Sequence, residues 1–275
     1  MILYGWVAQQ HVLKCFLSTV VPAFILITLL IVVNQFMLRK YDDIKLTERP
    51  KPFLPGFRVQ AHLAGPALLM PLIILGGIYG GVMTPTEAAG IAVVYSIPVA
   101  IYSYRGLTWK TLARTIQESG ITVGVVMIMI FMVLIVSDNL ISQGAQRLAK
   151  ELDYSVSDNP IVILLIINLV MILIGMLMDD ISGLLLATPI LLQIAQSTGM
   201  DPIHFAAVIG VNLGMANITP PTAPLLYLGA QVCDEPVSRM LWPTLIFIIF
   251  AWLPTLMLTT FVPELALFLP ELLLG

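Results

Sequence analysis

Runs of apolar residues as long as a membrane-spanning helix recur along the chain and limit the folds open to it. A helix needs about 20 apolar residues to cross the hydrocarbon core of a bilayer. Only 11% of the 275 residues are charged and 59% are hydrophobic, whereas soluble domains carry roughly 25% charged residues. We therefore predict an all-α, polytopic membrane protein that is surrounded by the lipid bilayer and has no nucleic-acid partner. The predicted spans are 16–38, 64–83, 86–104, 119–137, 160–178 and 241–263, with further apolar helices across 183–198 and 202–230.

One polar segment, RKYDDIKLTERPKPFLPGFR from Arg39 to Arg58, separates two of these runs. Its prolines argue against a continuous helix, so we predict that this segment is an irregular linker. Short loops rich in Lys and Arg tend to face the cytoplasm. A second basic stretch, from Arg105 to Arg114, follows two spans later. Both loops can therefore be cytoplasmic, which places the N-terminus outside.

The segment 119–158 is predicted to form a re-entrant hairpin. The run SGITVGVVMIMIFMVLIV is long enough to span, but Arg147 and Lys150 follow it. A full crossing would place both charges outside, against the distribution expected of basic residues. A turn near SDNLISQG would instead return them to the cytoplasmic side. Irregular backbone at membrane depth is tolerated where protein or a cavity covers it.

The turn TPTE, from Thr84 to Glu87, has the pattern of a helix start. Thr84 can cap the helix, Pro85 can be its first residue, and Glu87 can return a hydrogen bond to the cap. We therefore predict a structural role for Glu87 rather than a role as an ion ligand.

Two stretches near opposite ends of the chain resemble each other. MILYGWVAQQ begins the sequence and PLLYLGAQVC begins at Pro224, and each precedes a basic residue and a proline within the next helix. The similarity indicates two related halves, the first represented by its tail alone, with the remainder expected before residue 1. The predicted organisation is a first-repeat tail at 1–38, a cytoplasmic linker at 39–63, and a second repeat of transport and scaffold helices at 64–275.

The first place where polar groups enter the apolar sequence is GMLMDDISGLLLATPI, at 175–190. Ionisable residues inside spans are costly and usually face a cavity, so Asp179 and Asp180 are candidates for a functional site. The alternative is that both lie at an aqueous helix end, where one of them caps the next helix. That helix is predicted to start or bend irregularly, at Gly183, Thr188 and Pro189.

The second place is NLGMANITPPTAPLLYLGA, which begins at Asn212 within the stretch 202–233, where Asp, Glu, Lys and Arg are absent. Pro220 and Pro221 remove two amide donors and displace the carbonyls one turn earlier. A continuous helix cannot accommodate this, so we predict a broken helix at membrane depth. The alternative is a simple loop between two spans, which the absence of charge disfavours.

The broken helix offers hard oxygen ligands of the kind that suit Na⁺. Asn212 and Thr219 are seven residues apart, so on one helix they would share a face, while Asn217 lies elsewhere on that turn. The ligands would be displaced carbonyls, the hydroxyls of Thr219 and Thr222, and the Asn212 amide oxygen. The N-terminus of the following helix would present donors to an anion. Many secondary transporters build their sites from broken helices at the midplane of inverted repeats.

Several of these segments recur in one order: GGIYGGVMTPTEAAGIAVVY, the MDDIS region with its following TPIL, DPIHFAAVIGVNLG, and ITPPTAPLLYLG. Together they resemble the large membrane subunit of the tripartite ATP-independent periplasmic (TRAP) transporters, across essentially the whole chain. The resemblance implies a multi-pass permease of the bacterial inner membrane, driven by Na⁺ as coupling ion and without a cofactor. It also implies a small membrane subunit and a periplasmic substrate-binding protein as partners, and organic acids such as C4-dicarboxylates or sialic acid as substrates.

The resemblance places discontinuous elements at Gly175–Pro189 and Asn212–Pro224. It implies a Na⁺ site at Asn212, Thr219 and backbone oxygens near Gly214 and Pro220. Gly214 stands where many family members have Glu, so a carboxylate ligand is not expected there. The cavity is expected to include Asp179, Asp180 and Ser182. The full set of candidate substrate- and ion-binding residues is Gly175, Asp179, Asp180, Ser182, Thr188, Asn212, Gly214, Asn217, Thr219, Pro220, Pro221 and Thr222.

Two other functions compete with that of a transporter. An intramembrane aspartyl protease needs two carboxylates from different helices that share a proton, but Asp179 and Asp180 are adjacent and no GxGD pattern occurs. We therefore predict that the protein is not an enzyme. A chain with most of its first half missing could instead be a non-transporting remnant that only assembles with other subunits.

Overall fold

The computed structural model describes residues 1–39, 53–143 and 159–275. Every regular element in these ranges is helical, as the composition predicted. The chain divides into two compact units, one combining Met1–Lys40 with Met127–Gly275 and the other formed by Tyr41–Val126. Residues 40–52 of the predicted linker, and residues 144–158 with Arg147 and Lys150, lie outside the described ranges.

Within each described range, the helices follow one another with short connections. Two of them continue into a π-helical turn, α5 into Val99–Ser103 and α11 into Ile248–Trp252. In chain order the helices are α1 (Ile2–Val7), α2 (Val12–Ser18), α3 (Val20–Leu38), α4 (Phe53–Tyr79), α5 (Pro85–Pro98), α6 (Trp109–Ser142), α7 (Pro160–Leu177), α8 (Asp180–Ser197), α9 (Pro202–Ala216), α10 (Pro224–Cys233), α11 (Val237–Phe247), α12 (Leu253–Phe261) and α13 (Glu264–Leu274).

Five helices or joined helices among the described residues are long and apolar enough to cross a membrane. They coincide with five of the six predicted spans, so the prediction of an all-α fold with several apolar helices of membrane-spanning length is confirmed for the described residues. The sixth predicted span, 64–83, is a shorter apolar helix that ends at Tyr79. The five are Val12–Leu38, Pro85–Ser103, Trp109–Asn139, Pro160–Leu177 and Val237–Phe261.

Within the unit Tyr41–Val126, α4 and α5 pack together, and the Tyr95 hydroxyl donates to the Pro66 carbonyl at 2.8 Å. The irregular linker predicted through Arg58 is wrong for its last residues, because α4 begins at Phe53. Pro55 falls in the first turn of α4, where an amide donor is not needed for intrahelical bonding.

The predicted capping box at the start of α5 is confirmed. The Glu87 amide donates to the Thr84 hydroxyl at 3.3 Å, and the Thr84 amide donates to the Glu87 carboxylate at 2.8 Å. Pro85 is the first helical residue. These bonds satisfy amides that a helix start otherwise leaves unpaired, so the Glu87 carboxylate serves the fold here.

The hairpin turn predicted near SDNLISQG is absent from its described part. α6 is one continuous helix from Trp109 to Ser142 and passes through Ser137 and Asn139 without a break. The side-chain amide nitrogen of Asn139 donates to the Ile135 carbonyl, one turn earlier in the same helix, at 2.8 Å. A polar side chain that bonds its own helix in this way can be carried without interrupting it.

In the larger unit, α9 is the central element. Apart from the buried polar residues His204 and Asn212, it is largely apolar, and Phe205, Ala206 and Ile209 are fully buried, as expected of a helix that other helices surround. It packs against α2, α7, α8, α12 and α13. The N-terminal residues join this core, because the Tyr4 hydroxyl donates to the Pro202 carbonyl at 2.6 Å.

Candidate transport site

The first polar element is the tip of a hairpin formed by α7 and α8. α7 ends at Leu177, Met178 is extended, and α8 starts at Asp180. The amides of Ile181 and Ser182 donate to the Asp179 carboxylate at 3.0 and 3.2 Å. Asp179 is therefore the N-cap of α8, and of the two roles that the sequence left open for it, the structure shows helix capping.

α8 is one continuous helix from Asp180 to Ser197, so the irregular course predicted from Gly183, Thr188 and Pro189 does not interrupt it. Pro189 lies inside a continuous helix. Thr188 is fully buried, and its hydroxyl donates to the Leu184 carbonyl at 2.7 Å, which bonds the side chain within its own helix. Ser182 is also buried, in the first turn of α8.

The second polar element is the break between α9 and α10, at 217–223. α9 tightens at its end, since the amides of Ile218 and Thr219 donate to the carbonyls three residues back, Met215 and Ala216. Pro220 and Pro221 then form a cis peptide, and Ala223 takes a left-handed conformation with φ of 30° before α10 begins. The predicted break in the helix is confirmed.

The break frees fewer backbone groups than expected. Pro220 and Pro221 cannot donate to Ala216 and Asn217, but the Thr219 amide serves the Ala216 carbonyl. The Leu225 amide crosses the break to donate to the Asn217 carbonyl at 3.1 Å. The Leu225 amide belongs to the N-terminus of α10, whose amides were expected to donate to an anion, and here it donates to a backbone carbonyl instead.

The two polar elements lie against each other. The Asn217 amide nitrogen donates to the Asp180 carboxylate at 2.8 Å, and the Thr222 hydroxyl donates to the Met176 carbonyl at 3.0 Å. Gly175 packs so tightly on Ala216 that a Cβ at residue 175 would collide with the alanine Cβ. The hairpin tip and the broken helix therefore form one structure, joined by backbone and side-chain contacts.

Asn212 and Thr219 do not share a helix face, because α9 ends at Ala216, before Thr219. The Thr219 hydroxyl donates to the Met215 carbonyl at 2.8 Å. Asn212 is fully buried, and its amide nitrogen donates to the Asn168 side-chain oxygen at 2.8 Å and to the Val208 carbonyl at 3.0 Å. The sequence prediction assumed a continuous helix through 219, and that assumption is wrong.

Asn168 and Thr260 are buried polar residues that the sequence analysis did not single out. The Asn168 amide nitrogen donates to the Thr260 hydroxyl oxygen at 3.0 Å, which links α7 to α12. A lone Asn within the run PIVILLIINLVMILIGML was a usable signal, because polar residues inside spans are costly unless they have partners. Its partners could not be read from the sequence, since they lie on two other helices.

His204 was also missed and has a buried partner. One of its ring nitrogens lies 2.6 Å from the Thr259 carbonyl oxygen, which can only accept, so that nitrogen carries the proton. The bond ties the start of α9 to α12, and we assign it a structural role.

A cavity of about 460 Å³ lies beside the hairpin tip. Asp180 lines it together with Gly210 and Gly214 of α9 and residues of the N-terminal helices; of the three predicted cavity residues, Asp179, Asp180 and Ser182, it is the one that does so. On Gly214, a Cβ would come within 2.8 Å of the Trp252 ring. The absence of a side chain at Gly214 thus allows the tryptophan to approach the helix backbone.

Searched over the described part of the chain, no group of three or more His, Cys, Asp or Glu side chains could hold a metal ion. The polar atoms at the two breaks are instead mostly neutral oxygens of amides, hydroxyls and carbonyls. Such oxygens suit an alkali cation better than a transition metal, which favours imidazole or thiolate ligands.

Comparison with known proteins gives the family. Residues 1–265 match the family described as tripartite ATP-independent periplasmic transporter, DctM component. The chain belongs to this family. The family is one of transporter permeases, as the sequence resemblance implied.

Relatives in the family transport different acids. The chain is 30% identical to the sialic acid TRAP transporter large permease protein SiaM of Vibrio cholerae, over 100% of the chain and 64% of the relative. It is 31% identical to the C4-dicarboxylate TRAP transporter large permease protein DctM of Pseudomonas aeruginosa, over 98% of the chain and 62% of the relative. It is 30% identical to the isethionate TRAP transporter permease protein DctMQ of Oleidesulfovibrio alaskensis, over 97% of the chain and 42% of the relative. The chain thus spans 42–64% of the length of these relatives.

Proposed function

We propose that this chain is the permease subunit of a Na⁺-coupled secondary transporter that imports organic acids. The observation that carries the proposal is the bond between Asp180 and Asn217, which joins a helical hairpin tip to a broken helix. Secondary transporters commonly build their ion and substrate sites from discontinuous helices of this kind. Membership of the permease family supports the same function.

The coupling ion would be held by Asn212, Thr219 and backbone oxygen near Gly214. The Ile218 amide donates to Met215 rather than to Gly214, which leaves the Gly214 carbonyl without its usual helical donor. The Thr219 hydroxyl donates to Met215 and keeps its own lone pairs for accepting. The Asn212 side-chain oxygen is buried and has no donor. All three are hard, neutral oxygens, which fits Na⁺.

The organic acid would bind beside the hairpin tip, in the cavity that Asp180 lines. The N-termini of α8 and α10 converge near this tip, because Asp180 begins one helix and Thr222 lies just before the other. The positive end of the α8 dipole, where Asp180 and Ile181 line the cavity, favours a carboxylate there. The relatives named above carry sialic acid, C4-dicarboxylates or isethionate, and we infer an acid of this class.

The remaining parts of the system follow from the family. We infer a periplasmic binding protein that delivers the acid and a small membrane subunit that assembles with the permease in the bacterial inner membrane. The alternative function is a chain that assembles with these subunits and does not transport.

Uptake in proteoliposomes tests the proposal. The full reading frame that contains this chain would be reconstituted with its small subunit and binding protein, and accumulation of labelled acid measured with a Na⁺ gradient or an equal K⁺ gradient. We expect accumulation with Na⁺ alone. Equal uptake with both ions would contradict the coupling, and no uptake with either would support the assembly role.

A further inference from the structure

A chain of buried hydrogen bonds links three helices of the larger unit. It runs from Thr260 on α12 to Asn168 on α7 and on to Asn212 on α9. Thr260 and Asn168 are 2% exposed, and Asn212 is 0% exposed. Their surroundings are apolar, so each polar atom must find its partner inside the protein.

The direction of these bonds is determined at one end by a backbone carbonyl. The Val208 carbonyl can only accept, so the Asn212 atom that contacts it at 3.0 Å must be the amide nitrogen. The same nitrogen faces Asn168 at 2.8 Å, which requires the Asn168 oxygen at that contact. The Asn168 nitrogen is then left for the Thr260 hydroxyl oxygen at 3.0 Å.

This arrangement uses both hydrogens of the Asn212 amide and leaves its oxygen without a donor. Across the residues that the structure describes, it is the one buried side-chain nitrogen or oxygen with no hydrogen-bond partner. Buried acceptors are nearly always satisfied in folded proteins. A bound cation or a hydrogen-bond donor is therefore expected at this oxygen, and the side chain cannot rotate its nitrogen there without breaking two bonds.

We propose that Asn168 and Thr260 are positioning residues that hold the Asn212 amide with its oxygen presented to the coupling cation. Neither residue needs to touch the ion. The proposal rests on the function proposed above, in which Asn212 is a Na⁺ ligand. Residues behind a ligand commonly affect ion affinity in this way, because they set the orientation of the coordinating group.

α12 offers a matched control for the test. Thr255 is as deeply buried as Thr260, at 0% exposed, but its hydroxyl donates to the Ala251 carbonyl of the preceding turn. Thr260→Val removes the partner of Asn168, whereas Thr255→Val makes the same chemical change outside the chain of bonds. Thr260→Ser keeps the hydroxyl and should rescue the effect. Thr260→Ala, with Thr255→Ala as its control, replaces the valine pair if Thr260→Val does not fold.

The readout is the Na⁺-dependent rise in melting temperature of the purified protein, titrated with NaCl at constant ionic strength with KCl. We expect Thr260→Val to raise the half-maximal Na⁺ concentration about tenfold, with Thr260→Ser and Thr255→Val near the wild type. The melting temperatures of the two valine variants in KCl should be similar. The same shift in half-maximal Na⁺ should appear in uptake.

Three results would overturn the inference, and they are distinguishable. If the wild type responds to Na⁺ and Asn212→Ala abolishes the response, but Thr260→Val behaves as Thr255→Val does, the positioning role alone is wrong. If the wild type responds equally to NaCl and KCl, the coupling site itself is wrong and the positioning role falls with it. A loss of stability in KCl for Thr260→Val with unchanged half-maximal Na⁺ would indicate packing alone.

Discussion

The Asn217 amide nitrogen donates to the Asp180 carboxylate at 2.8 Å, and this bond joins the break after α9 to the tip between α7 and α8. The two residues are far apart in sequence: Asp180 is the first residue of α8, and Asn217 directly follows the last residue of α9. Their contact brings the C-terminal end of α9 to the N-terminal end of α8, beside the cavity that Asp180 lines. The proposed binding chemistry depends on this relationship more than on either residue alone.

Replacing Asn217 by Asp should separate the two elements at neutral pH. Two carboxylates would then face each other at hydrogen-bond distance, and they repel unless they share a proton. We expect Asn217→Asp to reduce uptake at about pH 7.5 and to recover part of it at about pH 5.5, where a shared proton restores the bond. Asn217→Ala should be impaired equally at both pH values. A deficit in Asn217→Asp that does not change with pH would contradict the pairing.

Gly175→Ala should destabilise the hairpin against the broken helix. The new methyl group collides with the Ala216 Cβ, and overpacking of this kind costs about 1–3 kcal/mol. Gly76→Ala is the control, because a Cβ there meets nothing within 4 Å. Thermal unfolding in detergent should show a loss for the first variant and none for the second. Adding Ala216→Gly to Gly175→Ala should recover stability, and additive losses would contradict the contact.

Thr219→Val should weaken the dependence of uptake on Na⁺. The variant removes a hydroxyl oxygen of the proposed ion site and keeps the shape of the side chain. Thr188→Val is its control, because the Thr188 hydroxyl bonds within α8 to the Leu184 carbonyl. We expect Thr219→Val to raise the half-maximal Na⁺ concentration severalfold and Thr188→Val to leave it unchanged. If Thr188→Val raised the half-maximal Na⁺ concentration and Thr219→Val did not, Thr188 and not Thr219 would belong to the ion site.

Glu87→Gln should leave Na⁺ coupling unchanged. The Glu87 carboxylate accepts hydrogen bonds from the Thr84 amide and hydroxyl. Its negative charge therefore stabilises the start of α5. Half-maximal Na⁺ for uptake should match the wild type. A change specific to Na⁺ would show that this carboxylate belongs to the coupling site as well.

Gly214→Ala should disturb the packing of the π-helical turn on α9. A Cβ at this position lies 2.8 Å from the Trp252 ring, closer than real Cβ contacts. We expect a lower melting temperature, and we expect Trp252→Leu to relieve part of the loss in the double variant. Equal losses with and without Trp252→Leu would contradict the proposed clash.

Much of the fold could be predicted from local pattern. The apolar runs predicted the described spans because bilayer thickness sets a length that composition alone can satisfy. The capping box at Thr84 and Glu87 was predictable because both partners lie in one turn. Pro220 and Pro221 predicted the break after α9, because the loss of a backbone amide donor is a property of the proline itself.

Prediction was wrong where a residue's partner lies elsewhere in the chain. SDNLIS was expected to turn, but α6 carries Asn139 by bonding it to its own helix. Asn212 was expected to face Thr219 along one helix, but α9 ends first and Asn212 faces Asn168 instead.

The sequence by itself determined that this protein is a membrane-embedded bundle of helices with two interruptions, because apolar length and missing backbone donors are local properties. Only the tertiary structure decided that the interruptions meet, that Asp179 caps a helix while Asp180 lines a cavity, and that the Asn212 oxygen is left without a donor. Those outcomes depend on which helices pack together. Side-chain hydrogen bonds between distant segments are chosen by that packing and leave no periodic signal in the chain.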